Sequence, residues 1–153
     1  MSKKDYTFPF IEKANQETID LLLEARTYAR AIHGRSQAMS SSPRQLLINC
    51  EAMRMISRLA RIMAWILECK AAPSPSVGLQ KDGDDGQPLD ENALCMDTNG
   101  NDDARLPFEL RVLLQRSYGL YVRVARLDAM IRKGQDEIGP GEFGGFTARL
   151  VGQ

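Results

Sequence analysis

The sequence predicts an all-α protein, and three observations carry that prediction. Apolar residues recur at alternating steps of three and four in three separate blocks, the pattern of one helical face. No alternating β-branched run lies between turn residues, so strands have no signal. Ser-Pro, Pro or Gly signals start or stop the blocks. The expected architecture is an up-down-up antiparallel three-helix bundle over residues 1–133, with a disordered acidic linker at about 73–104 and a flexible Gly-rich tail over 134–153.

The first block runs from Phe8 to Ile32, where Ile11, Ala14, Thr18, Leu21, Ala25, Tyr28 and Ile32 form one stripe. Glu12, Glu17, Asp20 and Glu24 precede Arg26 and Arg30, an order that suits the helix dipole. Gly34 is the expected C-terminal stop. The second block opens on Ser42 as N-cap and Pro43 as first helical residue. Its first stripe is Ile48, Ala52, Met55, Leu59, Ile62, Ile66 and Cys69; its second is Leu46, Cys50, Met53, Ile56, Ala60, Met63 and Leu67. Two adjacent apolar stripes call for two partners, or for one partner and another subunit. Pro73 and Pro75 end the block.

Between Lys81 and Asp103 eight acids face one base, with few large apolar residues to offset the entropy of ordering. A calcium loop is not supported: counted from Asp82, the sixth and twelfth positions hold Gln87 and Ala93, and from Asp97 they hold Asp102 and Phe108. The third block starts at Leu106-Pro107 and runs to Lys133, with Leu110, Leu113, Ser117, Leu120, Val124, Leu127 and Ile131 on its stripe and Gly134 as its stop. The tail holds six glycines, and Phe143, Phe146 and Leu150 are its candidate anchors for a partner.

Twenty basic and twenty acidic residues give no net charge, which removes the global basicity of a dedicated nucleic-acid binder. Three cysteines make no disulfide framework and fit a reducing compartment. Met1 to Tyr6 lack the apolar region of a secretory signal, and no apolar run approaches the roughly 18 residues of a membrane span. A cytoplasmic location is the expectation.

Catalytic machinery is not visible. His33, the one histidine, ends the first helix beside Gly34 and suits a dipole contact better than a base or a metal ligand. Cys50, Cys69 and Cys95 have no paired spacing; Cys50 and Cys69 lie on apolar stripes and read as buried thiols. No phosphate-cradling Gly motif joins a strand to a helix. The sequence therefore predicts no catalytic, metal or cofactor residue and no enzymatic activity.

Arginine has more pull. Arg54, Arg58 and Arg61 on the second helix, and Arg111, Arg116, Arg123 and Arg126 on the third, fall at helical spacings. From Leu106 to Lys133 there are six bases and two acids. Arg54, Arg58, Arg61, Arg116, Arg123 and Arg126 are candidate contacts for an anionic partner. Protein is preferred to nucleic acid because no aromatic residues interleave with them; the plainer alternative is a solvated face. Trp65, between the two stripes of the second helix, is either core or the anchor of a dimer interface.

Three stretches carry a resemblance. They are Leu22-Leu23-Glu24-Ala25-Arg26-Thr27-Tyr28; Ser57-Arg58-Leu59 through Met63-Ala64-Trp65-Ile66-Leu67; and Leu106-Pro107 through Leu110-Arg111, with Arg116-Ser117, Leu120-Tyr121 and Arg123-Val124-Ala125-Arg126-Leu127-Asp128. Together they resemble the alphaproteobacterial regulator of CtrA degradation (RcdA) family. The resemblance implies a dimeric three-helix bundle acting as a proteolytic adaptor, which helps bring cell-cycle regulators to the ClpXP protease. The sequence departs from that pattern after Leu67, and its acidic linker and tail show no matching motif.

Overall fold

The computed structural model describes residues 4–36, 42–71 and 88–136. All described secondary structure is helical: α1 (Lys4–Ser36), α2 (Pro43–Ala71), a single 3-10 turn (Leu89–Glu91), the one-turn α3 (Ala93–Met96) and α4 (Phe108–Asp136).

The three predicted stripes form the core. Ile11, Ala14, Thr18, Leu21 and Ala25 of α1 are buried against Ile48, Met55, Leu59, Ile62 and Ile66 of α2 and Leu110, Leu113, Ser117, Leu120 and Val124 of α4. Thr18 and Ser117 are polar members of these stripes. They enter the core because their hydroxyls donate to the carbonyls of Ala14 (2.7 Å) and Leu114 (3.0 Å) on their own helices. Ser42 caps α2 as predicted, its Oγ accepting from the Gln45 N–H at 3.1 Å.

Ion pairs fix how the helices run. Glu17 meets Arg123 at 2.5 Å and Glu24 meets Arg116 at 2.5 Å, so α1 and α4 are antiparallel. Glu12 near the start of α1 meets Lys70 at the end of α2 at 2.9 Å. Exposed pairs of this kind contribute little to stability, about 0–1 kcal/mol each, but they mark register.

Three helix boundaries differ from expectation. α1 begins at Lys4 rather than Phe8 and carries Pro9 inside it, which forgoes the bond from residue 9 to the Asp5 carbonyl. Neither Gly34 nor Gly134 stops its helix: α1 continues to Ser36 and α4 to Asp136. Both stops lay within three residues of the true end, where fraying and capping signals compete.

The larger correction concerns the acidic linker expected at about 73–104. Its first part, 73–87, lies outside the described residues, but 88–104 is folded. Residues 88–106 form a strap across α2 and α4, with Leu89, Cys95 and Leu106 buried beneath it. Its polar residues make local bonds instead of merely solvating the chain. Asn92 Oδ1 accepts from the Cys95 N–H (3.1 Å), Asp97 Oδ1 from Asn99 N–H (2.9 Å) and Asp103 Oδ1 from Arg105 N–H (2.9 Å). Averaging composition over the whole acidic stretch hid two apolar anchors, Leu89 and Cys95, and these side-chain caps. Gly100 packs directly against the Glu51 carboxylate, where any Cβ would collide with it.

Candidate functional site

The polar chemistry of the protein gathers where the strap meets α2 and α4. Arg58 is 0% exposed, although its place in a series of arginines three and four apart suggested an outward face. Its Nε donates to the Cys95 carbonyl at 2.8 Å, its Nη2 to the Asp97 carbonyl and its Nη1 to the Leu114 carbonyl at 3.4 Å. The guanidinium also lies over the Tyr118 ring, 5.2 Å from its centroid. Burial, then the neighbouring Arg54, pulls its pKa down from the ordinary arginine value.

Two turns further along α2, Trp65 donates its indole N–H to Asp128 Oδ1 at 2.9 Å. Asp128 Oδ2 accepts the Leu89 N–H of the strap at 3.3 Å, and Arg132 reaches the same carboxylate at 3.0 Å. Tyr121, fully buried, donates its hydroxyl to the Leu89 carbonyl at 2.6 Å. Burial raises the Tyr121 pKa above the ordinary phenol value, and it likewise pushes up the Cys95 thiol. Cys95 is therefore a shielded thiol and not an activated nucleophile.

The structure redistributes the candidate contact residues. Arg58 and Trp65 (6% exposed) belong to the interior, so neither is placed to meet a partner or a second copy. Arg58 turns inward because three carbonyls satisfy it there, and Trp65 because Asp128 supplies an acceptor for its N–H. Arg54 bonds Glu51 at 2.9 Å and the strap's Asp97 at 3.1 Å, which ties it to the same junction. Arg61 is half-buried, while Arg116 and Arg123 are engaged with α1 as described above. Arg126 is exposed and has no partner among the described residues. Phe143, Phe146 and Leu150 lie outside the described residues. Cys50, expected to be buried, is exposed, and Cys69 is half-buried.

The second stripe of α2 explains the exposure of Cys50. Leu46, Met53 and Leu67 are 66%, 61% and 59% exposed, and Ile56 is exposed beside them. Phe8, Ile19 and Leu23 of α1 are also exposed. Helical spacing puts these three on the same flank of α1 as Glu12, whose carboxylate reaches α2 through Lys70. Among the described residues, the α1–α2 side thus carries an uncovered apolar band.

Among the described residues no group of three or more His, Cys, Asp or Glu could hold a metal ion. No described helix is long and apolar enough to cross a membrane. One acid-sensitive contact lies at the end of the strap. Arg105, through side-chain and backbone hydrogen bonds, holds the Asp103 carboxyl down at about 2, against an ordinary 3.8. Because the folded value is the lower one, the contribution of this pair is present above 3.8 and is lost as pH falls through about 2. A carboxyl-carbon NMR titration should place Asp103 well below 3.8, and Arg105→Gln should return it toward that value.

Geometry and chemistry together define a class: a helical protein whose charged interior fastens a strap and whose outer band is apolar. The chain belongs to a family of proteins of unknown function, DUF1465, whose model matches residues 3–143. No curated protein and no solved structure matches it.

Proposed function

We propose that this protein is a non-enzymatic adaptor, an up-down-up three-helix bundle that pairs as a homodimer and assists ClpXP-type proteolysis of cell-cycle regulators by protein–protein binding. The observation that carries the binding role is the exposed stripe of α2: the first stripe is buried by α1 and α4, whereas the second has no cover among the described residues of its own chain. An isologous pairing through this band would bury Leu46, Met53, Ile56 and Leu67 against their copies. The proteolytic role rests on the resemblance to the RcdA family. The alternative, a nucleic-acid-associated regulator, loses support because Arg58 is buried and Arg54, Arg116 and Arg123 are engaged within the chain.

Two experiments test this reading. Met53→Glu with Leu67→Glu should halve the mass seen by light scattering at tens of micromolar, leaving the 17.1 kDa chain. The melting temperature of the monomer should hardly move, since exposed positions of this kind change stability by only about 0.5 kcal/mol. A wild-type chain that is already monomeric would remove the dimer. Reconstituted degradation of a cell-cycle regulator by ClpXP should accelerate when the protein is added. If it binds neither the protease nor its substrates, the adaptor role is wrong.

A further inference from the structure

Arg58, Trp65, Tyr121 and Asp128 line a groove between α2 and α4, and residues 88–97 of the strap occupy it. Four bonds, three of them buried and that to Asp97 partly so, hold the strap in this groove: Arg58 to the Cys95 and Asp97 carbonyls, Tyr121 to the Leu89 carbonyl, and Asp128 from the Leu89 N–H. Every strap atom in these four bonds belongs to the main chain. The helices thus recognise a peptide backbone, with Leu89 and Cys95 as its only fully buried side chains between residues 88 and 97. Asp90, Glu91, Ala93 and Leu94 stay exposed.

Two further features bear on what the groove holds. A buried guanidinium needs its carbonyl acceptors, and of the three that Arg58 meets the helices supply only Leu114 at 3.4 Å, so a peptide beside it provides the rest. Residues 88–104 themselves contain five acids and no base, and Arg54 at the rim meets Asp97 at 3.1 Å. The occupant that fits is therefore an acidic segment with one Leu-sized anchor.

We propose that residues 88–97 are an exchangeable internal ligand, and that the α2–α4 groove is a binding site for an acidic peptide of another protein, which takes the strap's place. Such a peptide presents two carbonyls that accept from Arg58 and one that accepts from Tyr121, donates one N–H to Asp128, and seats an apolar side chain where Leu89 lies. Strap and partner are mutually exclusive, so the site is closed until a competing segment arrives. This inference rests on the groove alone, and the adaptor reading can fail without it.

Two measurements on the full-length chain decide the matter. In a Cys50→Ser, Cys69→Ser background, Cys95 is the one thiol and reports strap opening. Its labelling by a neutral thiol reagent should be at least about tenfold faster than global unfolding and flat at low urea, the behaviour of a local opening. Labelling that follows global unfolding overturns the proposal. In a Leu89→Asp variant, a synthetic peptide of residues 88–98 should shift the fluorescence of Trp65, the only tryptophan, saturably. The same peptide carrying Leu89→Asp and Cys95→Asp should not. A folded variant that ignores the wild-type peptide overturns exchange. So does one in which helical circular dichroism is lost along with the strap, because the strap is then part of the core.

Discussion

Arg58→Ala should lower the unfolding free energy by about 3–4 kcal/mol, a large loss for a single side chain. The Cys95 and Asp97 carbonyls lose their donor at once, and the space under the strap is left empty. For a chain of this size that corresponds to roughly 10 °C in melting temperature. Arg58→Met separates the two causes: it refills much of the volume but leaves the carbonyls without donors, so its loss should fall between wild type and Arg58→Ala. Arg58→Lys should also be poorly tolerated, since one ammonium cannot span three carbonyls that a planar fork reaches together. Thermal denaturation of the three variants checks the order. A melting temperature within a degree or two of wild type for Arg58→Ala would mean that the buried guanidinium is not holding the junction.

Trp65→Ala should be as costly, about 3–5 kcal/mol, and for a reason that decides between the two roles its sequence position allowed. Deleting the indole opens a cavity next to Ile62 and Ile66 and takes one donor from the buried Asp128 carboxylate. Trp65→Phe keeps most of the packing and should lose only about 1–2 kcal/mol, the effect of the missing N–H. Denaturant unfolding gives both numbers, and light scattering at a temperature where the variants stay folded gives the association state. Stability should fall while self-association through the outer α2 stripe persists. A variant of unchanged stability that no longer associates would return Trp65 to the interface.

Trp65 and Arg58 also mark how far the sequence could be read. The helices were legible because periodicity is local: the Ile48-to-Ile66 stripe and the Ser42-Pro43 cap need no knowledge of neighbours. That α2 carries a second stripe was legible for the same reason; whether a helix of the same chain covers it was not, and Cys50 on it proved exposed. The direction of an arginine is not local. Spacings of three, four and seven around Arg58 look the same whether the guanidinium meets water or three carbonyls, and the carbonyls belong to residues 37 to 56 positions away. The strap was hidden because Leu89 and Cys95 follow no helical or strand period, while Leu106, four residues before Leu110, reads as the start of the next helix. What signal it had lay in Pro88, in the Asn92 cap and in the two Asp turns, each of which also occurs in unfolded acidic stretches.

Holding the strap by its main chain has a consequence for how the family can vary. The instructions for its path are written on α2 and α4, in Arg58, Tyr121 and Asp128, while most strap side chains take no part in the fastening. Asp90, Glu91, Ala93, Leu94 and Thr98 can therefore drift in evolution without moving the backbone beneath them. A segment that looks hypervariable when sequences are lined up would keep one shape, and its surface could be retuned residue by residue on an unchanging mount.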